Sequence, residues 1–425
     1  CLAYSLRYLC GQMSFGDDPN AYAGFFGRFV GMNEDGFAMS SHGDWPFGSA
    51  VLFTAVCFAI NFILIYRGLA KGIEWFCRWA MPLLVLCAIV ILIRVLTLGT
   101  PDPKLPEQNL LNGLGYMWNI DMTGEKCWLS LCNPQMWLAA AGQIFFSLSV
   151  GFGIVITYAS YMKKNDDIAL SSLTASAGNE FCEVALGGMI IVPTGFVFLG
   201  QAFIENPPST FSLGFVALPN IFNQMFLGQF IGFLFFFLLF LAAVTSSLSM
   251  LQPAIALLEE GLGLHRRASV ALLGFITAVG AAFVVYFSKD LVALDTIDFW
   301  IGTFCIFVLA TLQVILYGWV LGVDRGFEEL QRGAEIRIPR FVKFIIKYVS
   351  PAYLLAIFAL WTHQQFFATP DDPTQLTWTQ RIQQSAVVQV TLAFIGVVMI
   401  LFLLLIAQSV RRWRAMERAE KETAK

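Results

Sequence analysis

Apolar stretches long enough to cross a bilayer, each bounded by charged residues, recur along almost the whole chain. A hydrocarbon core of about 30 Å needs roughly 20 mainly apolar residues in a helix. Nine segments meet that requirement, at about 48–66, 72–98, 137–161, 167–202, 224–258, 268–287, 293–321, 347–367 and 385–410. Residues 1–10, CLAYSLRYLC, read as part of one more such helix, whose start is expected upstream. The stretches 167–202 and 224–258 exceed a single crossing, so each is expected to contain an extramembrane turn, a tilt or a break. The pattern predicts one integral membrane domain over residues 1–425, an all-α polytopic helix bundle, with 411–425 as a polar tail.

Lysine and arginine in the connections set the expected orientation, because cytoplasmic loops retain positive charge. Alternate connections hold 19 of the 26 Lys and Arg residues, among them Arg67, Lys71, Arg78, Lys163, Arg266, Arg267, Arg325, Arg340 and Arg411. The opposite side holds Arg7, Arg28, Arg94, Lys104, Lys126, Lys289 and Arg381. The tail RRWRAMERAEKETAK is therefore expected in the cytoplasm of a cell-membrane protein. Composition agrees, with 57% hydrophobic and 13% charged residues. Soluble domains average about 25% charged, so soluble enzyme chemistry is excluded. A net charge of -3 gives no basic excess for a phosphate backbone, which argues against nucleic acid as a partner.

Polar groups inside spans are costly and mark functional candidates. In WLAAAGQIFFSLSVGFGIVITYASY (137–161), Gly151 and Gly153 bracket Phe152 at mid-span, just after Ser147 and Ser149. Paired glycines weaken a helix by about 1 kcal/mol each relative to Ala. A break there would free backbone groups to line an ion or solute site, although close helix packing through small residues explains the glycines equally well. The next span carries Asn179, Glu180 and Glu183 near the membrane midplane, with Asn179 and Glu183 on one face. A bare carboxylate at that depth has to be protonated, paired or wet. In LAAVTSSLSMLQP, Ala242, Thr245, Ser246 and Ser249 share a face whose oxygens suit a hard cation, or bond back to their own helix. Asp295 and Asp298 of LDTIDFWIGT sit where a helix begins, favourable on dipole grounds alone and also suited to gating.

No Gly-rich phosphate loop, zinc spacing or nucleophile–histidine arrangement occurs, and His42, His265 and His363 are scattered. The chain is not expected to be an enzyme. A Cys127–Cys132 disulfide is conceivable if that loop faces an oxidising side, and the other seven cysteines read as small apolar residues.

The segments GQIFFSLSVGFGIVITYASY (Gly142 to Tyr161), the Asn179–Glu180 pair with Glu183, AAVTSSLSMLQP (Ala242 to Pro253) and LDTIDFWIGT (Leu294 to Thr303) together closely resemble the neurotransmitter:sodium symporter family. The resemblance runs along nearly the whole chain. It implies a leucine-transporter-like fold of inverted repeats with a helix broken near 149–153, the chain beginning inside helix 3 and lacking helices 1 and 2. It implies that Phe146, Ser147, Ser149, Phe152, Ser246 and Met250 contact substrate. Ser147 and Asn179 would serve a first sodium ion, and Ala242, Thr245 and Ser246 a second. Glu183, with Gln143 nearby, would stand in for chloride, and Asp298, Tyr161 and Glu260 would form gates. The partners implied are an amino acid or related amine, Na+ and the lipid bilayer, with a homodimer as a further expectation. The function implied is sodium-coupled, chloride-independent symport by alternating access. The alternative is a non-transporting sensor or subunit of the same fold.

Overall fold

The computed structural model describes residues 1–16, 18–30, 50–119, 134–163, 165–200, 203, 210–367 and 377–423, and no strand occurs among them. Cys127 and Cys132 lie outside the described residues. The helices are α1 (Leu2–Leu9), α2 (Pro19–Val30), α3 (Ala50–Tyr66), α4 (Leu69–Leu96), α5 (Leu110–Trp118), α6 (Pro134–Ser147), α7 (Ile154–Ala159), α8 (Ile168–Leu199), α9 (Leu218–Gln224), α10 (Gly228–Gly261), α11 (Arg266–Tyr286), α12 (Lys289–Gln331), α13 (Phe341–His363), α14 (Trp378–Gln384) and α15 (Ala386–Thr423). Among the described residues, seven helices, α4, α8, α10, α11, α12, α13 and α15, are long and apolar enough to cross a membrane. At 1.5 Å per residue the 32 residues of α8 and the 34 of α10 run about 50 Å. Neither is interrupted. Instead α8 passes through widened, π-type turns at Phe181–Gly188 and α10 through similar turns at Leu257–Gly261. The break falls in the span between 134 and 159, where α6 and α7 are separate helices.

The chain divides into two compact units, the first formed by Cys1–Asp121, Glu180–Ser249 and Thr277–Asp290, the second by Met122–Asn179, Met250–Ile276 and Leu291–Lys425. In the first, aromatic rings fill the space between α1, α2, the 210–224 segment and α10. Tyr4 and Tyr8 are almost fully buried beside Phe25, Phe222 and Phe236. The Tyr4 ring lies 4.8 Å from that of Phe236, and Tyr8 stacks on the same ring at 5.7 Å. Each tyrosine also meets the obligation of a buried hydroxyl by donating to a main-chain carbonyl, Tyr4 to Phe215 and Tyr8 to Pro219. Elsewhere in this unit α5 packs on the second half of α8.

The second unit is organised by a column of rings that runs from Phe145 of α6 to Phe307 of α12 at 5.5 Å, to Phe358 of α13 at 5.6 Å and on to Trp361. It ends where Phe299 stacks between Trp361 and Trp378, the latter centroid 4.0 Å away. Offset and edge-on ring pairs contribute about 0.5–1.5 kcal/mol each beyond their burial. The column thus fixes α6 against α12. Its far end is set by α14, whose Thr377 forms a capping box with Gln380 and so defines where Trp378 enters.

The connection after α7 is tied down by one carboxylate. Asp167 Oδ1 accepts from Leu170 N at 2.8 Å, capping α8, while Oδ2 accepts from Glu335 N at 2.7 Å in the connection after α12. These donors hold the Asp167 carboxyl below its usual range, the Glu335 and Leu170 N–H groups acting together.

Candidate functional site

The site is built around the interruption between α6 and α7. The last turn of α6 loosens in steps, with Leu148 N bonding to Ile144 O, Ser149 N to Phe146 O and Val150 N to Phe145 O. The chain then takes left-handed φ at Ser149 (54°), Gly151 (90°) and Gly153 (76°). Helix restarts at Ile154, with Thr157 bonding to Gly153 O through both its amide and its hydroxyl. Two glycines make this conformation accessible, since a Cβ in the left-handed region costs roughly 1–2 kcal/mol. Gly151 answers a second demand, for a Cβ there would sit 2.5 Å from Ile306 O and 3.0 Å from Ile306 Cγ2 of α12. Of the two readings of these glycines, the break is the one found, and close packing accompanies it. Helix ends carry backbone groups without intrahelical partners, so the break gathers polar main chain between α6 and α7.

Side chains converge on this opening. Asn179 of α8 donates from Nδ2 to Ser147 Oγ at 2.5 Å, across 32 residues of sequence. Turning the amide over brings Oδ1 beside the hydroxyl and makes a pair of hard oxygen donors. Phe146 and Phe152 flank the break edge to face, centroids 5.8 Å apart, and Phe146 is exposed. A cavity of about 230 Å³ adjoins Phe146 and is lined besides by Gly142, Gln143, Phe145, Gly302, Thr303, Ile306 and Phe307. Asp298 lies one turn before Gly302, whose missing side chain leaves room for the carboxylate, since a Cβ would meet Oδ1 at 2.7 Å. Four of these lining residues belong to α12 and were not assigned from sequence, although Gly302 and Thr303 stand inside the LDTIDFWIGT motif.

On α10, Thr245 Oγ1 donates to Leu241 O and to Ala242 O, 3.0 Å each, so this hydroxyl bonds back to its own helix. Two oxygens 3.0 Å apart still lie within reach of one cation at roughly 2.3–2.6 Å from each. Ser246 is exposed, Ala242 half-buried, and Met250 exposed one turn further on. Glu183 is half-buried in the widened turns of α8, and Gln143 is exposed on α6. Those two residues fall in different units, as do Ala242, Thr245 and Ser246 relative to the broken helix.

Near the other end of the broken helix, Tyr161 is held by a residue of α10. Gln252 Nε2 donates to its hydroxyl at 3.0 Å, and Gln252 is 3% exposed. Glu260, two turns along α10, keeps its side chain exposed while its carbonyl accepts from Arg412 and Trp413 of α15. Gln252 was legible in the sequence only as the residue before Pro253.

A model of the Sodium:neurotransmitter symporter family matches residues 25–409. The chain is 27% identical to a sodium-dependent transporter of Methanocaldococcus jannaschii, over 84% of this chain and 69% of that one. It is 29% identical to a sodium-dependent transporter of Haemophilus influenzae, over 72% of this chain and 64% of the other. It is 25% identical to sodium-dependent nutrient amino acid transporter 1 of Drosophila melanogaster, over 74% of this chain and 47% of the relative. The chain therefore spans between about half and two thirds of the length of these relatives. Among solved structures, MhsT in complex with L-phenylalanine superimposes with a TM-score of 0.66 at 25% identity, covering 84% of this chain and 75% of MhsT.

Proposed function

Because the chain belongs to the sodium:neurotransmitter symporter family, we propose that the protein carries an amino acid or a related amine across the membrane together with sodium, by alternating access. The contact between Ser147 and Asn179 at the break carries this reading. It joins a hydroxyl at the end of a broken helix to an amide on the next helix, a donor set for a hard, weakly held cation rather than for a transition metal. Support for the substrate class comes from the names of the relatives, one a nutrient amino acid transporter and one crystallised with L-phenylalanine.

The roles follow from chemistry at each position. The main chain freed at 148–153 offers dipoles to the charged ends of an amino acid, with Ser147 and Ser149 as hydroxyl partners. Phe146, Phe152 and Met250 present apolar surface to its side chain. Ser147 and Asn179 serve one sodium ion. The Ala242 carbonyl with Thr245 and Ser246 serves a second, the Thr245 hydroxyl turning from its own helix to do so. Glu183 supplies a fixed negative charge in place of chloride. Asp298 closes the outer side, and Tyr161 with Glu260 the inner side, where the arginine-rich tail lies in the cytoplasm.

Uptake of labelled amino acids into proteoliposomes tests this reading. Replacing sodium by choline should abolish uptake, and undiminished uptake would refute the sodium assignment. Replacing chloride by gluconate should leave the wild type unaffected and should depress Glu183→Ser. A chloride requirement in the wild type would overturn the role given to Glu183.

A further inference from the structure

The last part of α15 does two things on opposite faces. On one face Ser409, Arg412 and Trp413 dock on the end of α10. Arg412 Nη1 donates to the carbonyls of Glu260 and Gly261 at 3.3 Å each, and Trp413 Nε1 donates to Glu260 O at 3.4 Å. Those carbonyls belong to the helix end that lacks intrahelical donors and carries the negative pole of the dipole, so an arginine is the suitable partner. The fit is close, because Ser409 packs on Gly261 and the Arg412 guanidinium on Gly263, where a side chain would collide.

The other face is basic. At 100° per residue, Arg411, Arg414, Arg418 and Lys421 fall within an arc of about 80°, centred about 170° from the docked trio. All four are exposed, and none forms an ion pair with a described side chain. Glu417 and Glu422 lie at the edges of this arc. Docking of Arg412 and Trp413 therefore fixes the rotation of the helix and turns the stripe away from α10. The stripe begins directly after the apolar run that ends at Val410, so its first members stand at the bilayer surface.

We propose that Arg411, Arg414, Arg418 and Lys421 form a binding surface for anionic phospholipid headgroups, held in register by the clamp of Arg412 and Trp413 on α10. Charge complementarity and position select this partner. The interfacial layer is roughly 5–8 Å thick on each side of the hydrocarbon. Rising 1.5 Å per residue, Arg414 stands about 4.5 Å beyond Arg411, Arg418 about 10 Å and Lys421 about 15 Å. The inner pair meets headgroups directly. The outer pair acts across about one Debye length of roughly 8 Å, and more weakly. A soluble acidic protein would meet the reverse order, reaching the far end of the stripe first.

The test does not depend on transport. Native mass spectrometry of the full chain, titrated with phosphatidylglycerol and with phosphatidylcholine, reads the preference between the two lipids. A basic residue at an anionic surface is worth about fivefold in affinity, so the inner pair should supply a preference of about 25-fold. R411Q/R414Q should bring the preference to within about twofold of unity, whereas R418Q/K421Q should keep most of it. A circular-dichroism melt confirms that both variants are folded. Raising potassium chloride should erase the wild-type preference. Absence of a preference in the wild type, or a loss in R418Q/K421Q equal to or larger than that in R411Q/R414Q, would overturn the proposal.

Discussion

Substituting the two glycines of the break one at a time separates backbone strain from packing, because the structure loads them differently. Gly151 and Gly153 have φ of 90° and 76°. Alanine at either therefore meets a similar cost of roughly 1–2 kcal/mol for a left-handed residue, offset in part by about 0.4–1 kcal/mol from the stiffer unfolded chain. At Gly153 little else changes, since the nearest atom to an added Cβ is Pro253 Cβ at 3.7 Å, an ordinary contact. At Gly151 the Cβ would meet Ile306 O at 2.5 Å, Ile306 Cγ2 at 3.0 Å and Ala310 Cβ at 3.3 Å. The first of these is main chain, so α12 has to move, and overpacking of this kind costs typically about 1–3 kcal/mol. Gly153→Ala should thus destabilise by about 1 kcal/mol and Gly151→Ala by about 3 kcal/mol. At roughly 2–4 °C per kcal/mol for a domain of 150–250 residues, and less for a longer chain, the two midpoints should differ by a few degrees. Thermal unfolding in one detergent, followed by a thiol-reactive dye, measures the difference. Because α12 also carries Thr303 and Ile306 of the cavity wall, Gly151→Ala should in addition weaken amino-acid binding. If the two variants unfold at the same temperature, Gly151 is not held by its approach to Ile306, and the argument for a packed break fails.

Two further outcomes follow from local geometry. Tyr161→Phe strands the Gln252 amide, which is 3% exposed and whose Oε1 already has no partner among the described residues. A loss of about 1–3 kcal/mol is expected. Tyr161→Phe/Gln252→Leu should be more stable than Tyr161→Phe alone, because it removes both polar partners, and a double variant less stable than the single would count against this pairing. Asp167 has a carboxyl pKa depressed in the folded state, so its stabilisation is complete above the unfolded value of about 4 and is lost as pH falls through the lower native value. Hydrogen exchange in 165–171 and 333–337, corrected for intrinsic rates, should accelerate on acidification below about pH 4 in the wild type. The pH dependence should flatten in Asp167→Asn, which keeps one acceptor for the cap and gives up the second. An identical profile in the variant would show that the carboxylate does not tie the two connections together.

Apolar runs and their bounding charges were sufficient to identify a helical membrane bundle, because a helix in hydrocarbon satisfies its own backbone and leaves its signature within some twenty consecutive residues. The glycine pair at 151 and 153 marked a candidate break that the residues alone left open against close packing and that the family resemblance favoured; left-handed φ at both glycines bears the break out. Family resemblance, through motifs at Gly142–Tyr161 and Ala242–Pro253, ordered the candidate residues along the chain. It did not reveal their present partners. Thr245 bonds back to Leu241 and Ala242 of its own helix, one of the two readings open for that hydroxyl, and Tyr161 accepts from Gln252, which no motif had singled out. The contact of Asn179 with Ser147, the approach of Gly151 to Ile306, and the grip of Arg412 and Trp413 on the end of α10 span between 32 and about 155 residues of chain. Such contacts depend on which helices pack side by side and in what rotation. That is a property of many apolar surfaces fitted together at once, and no local period or motif encodes it.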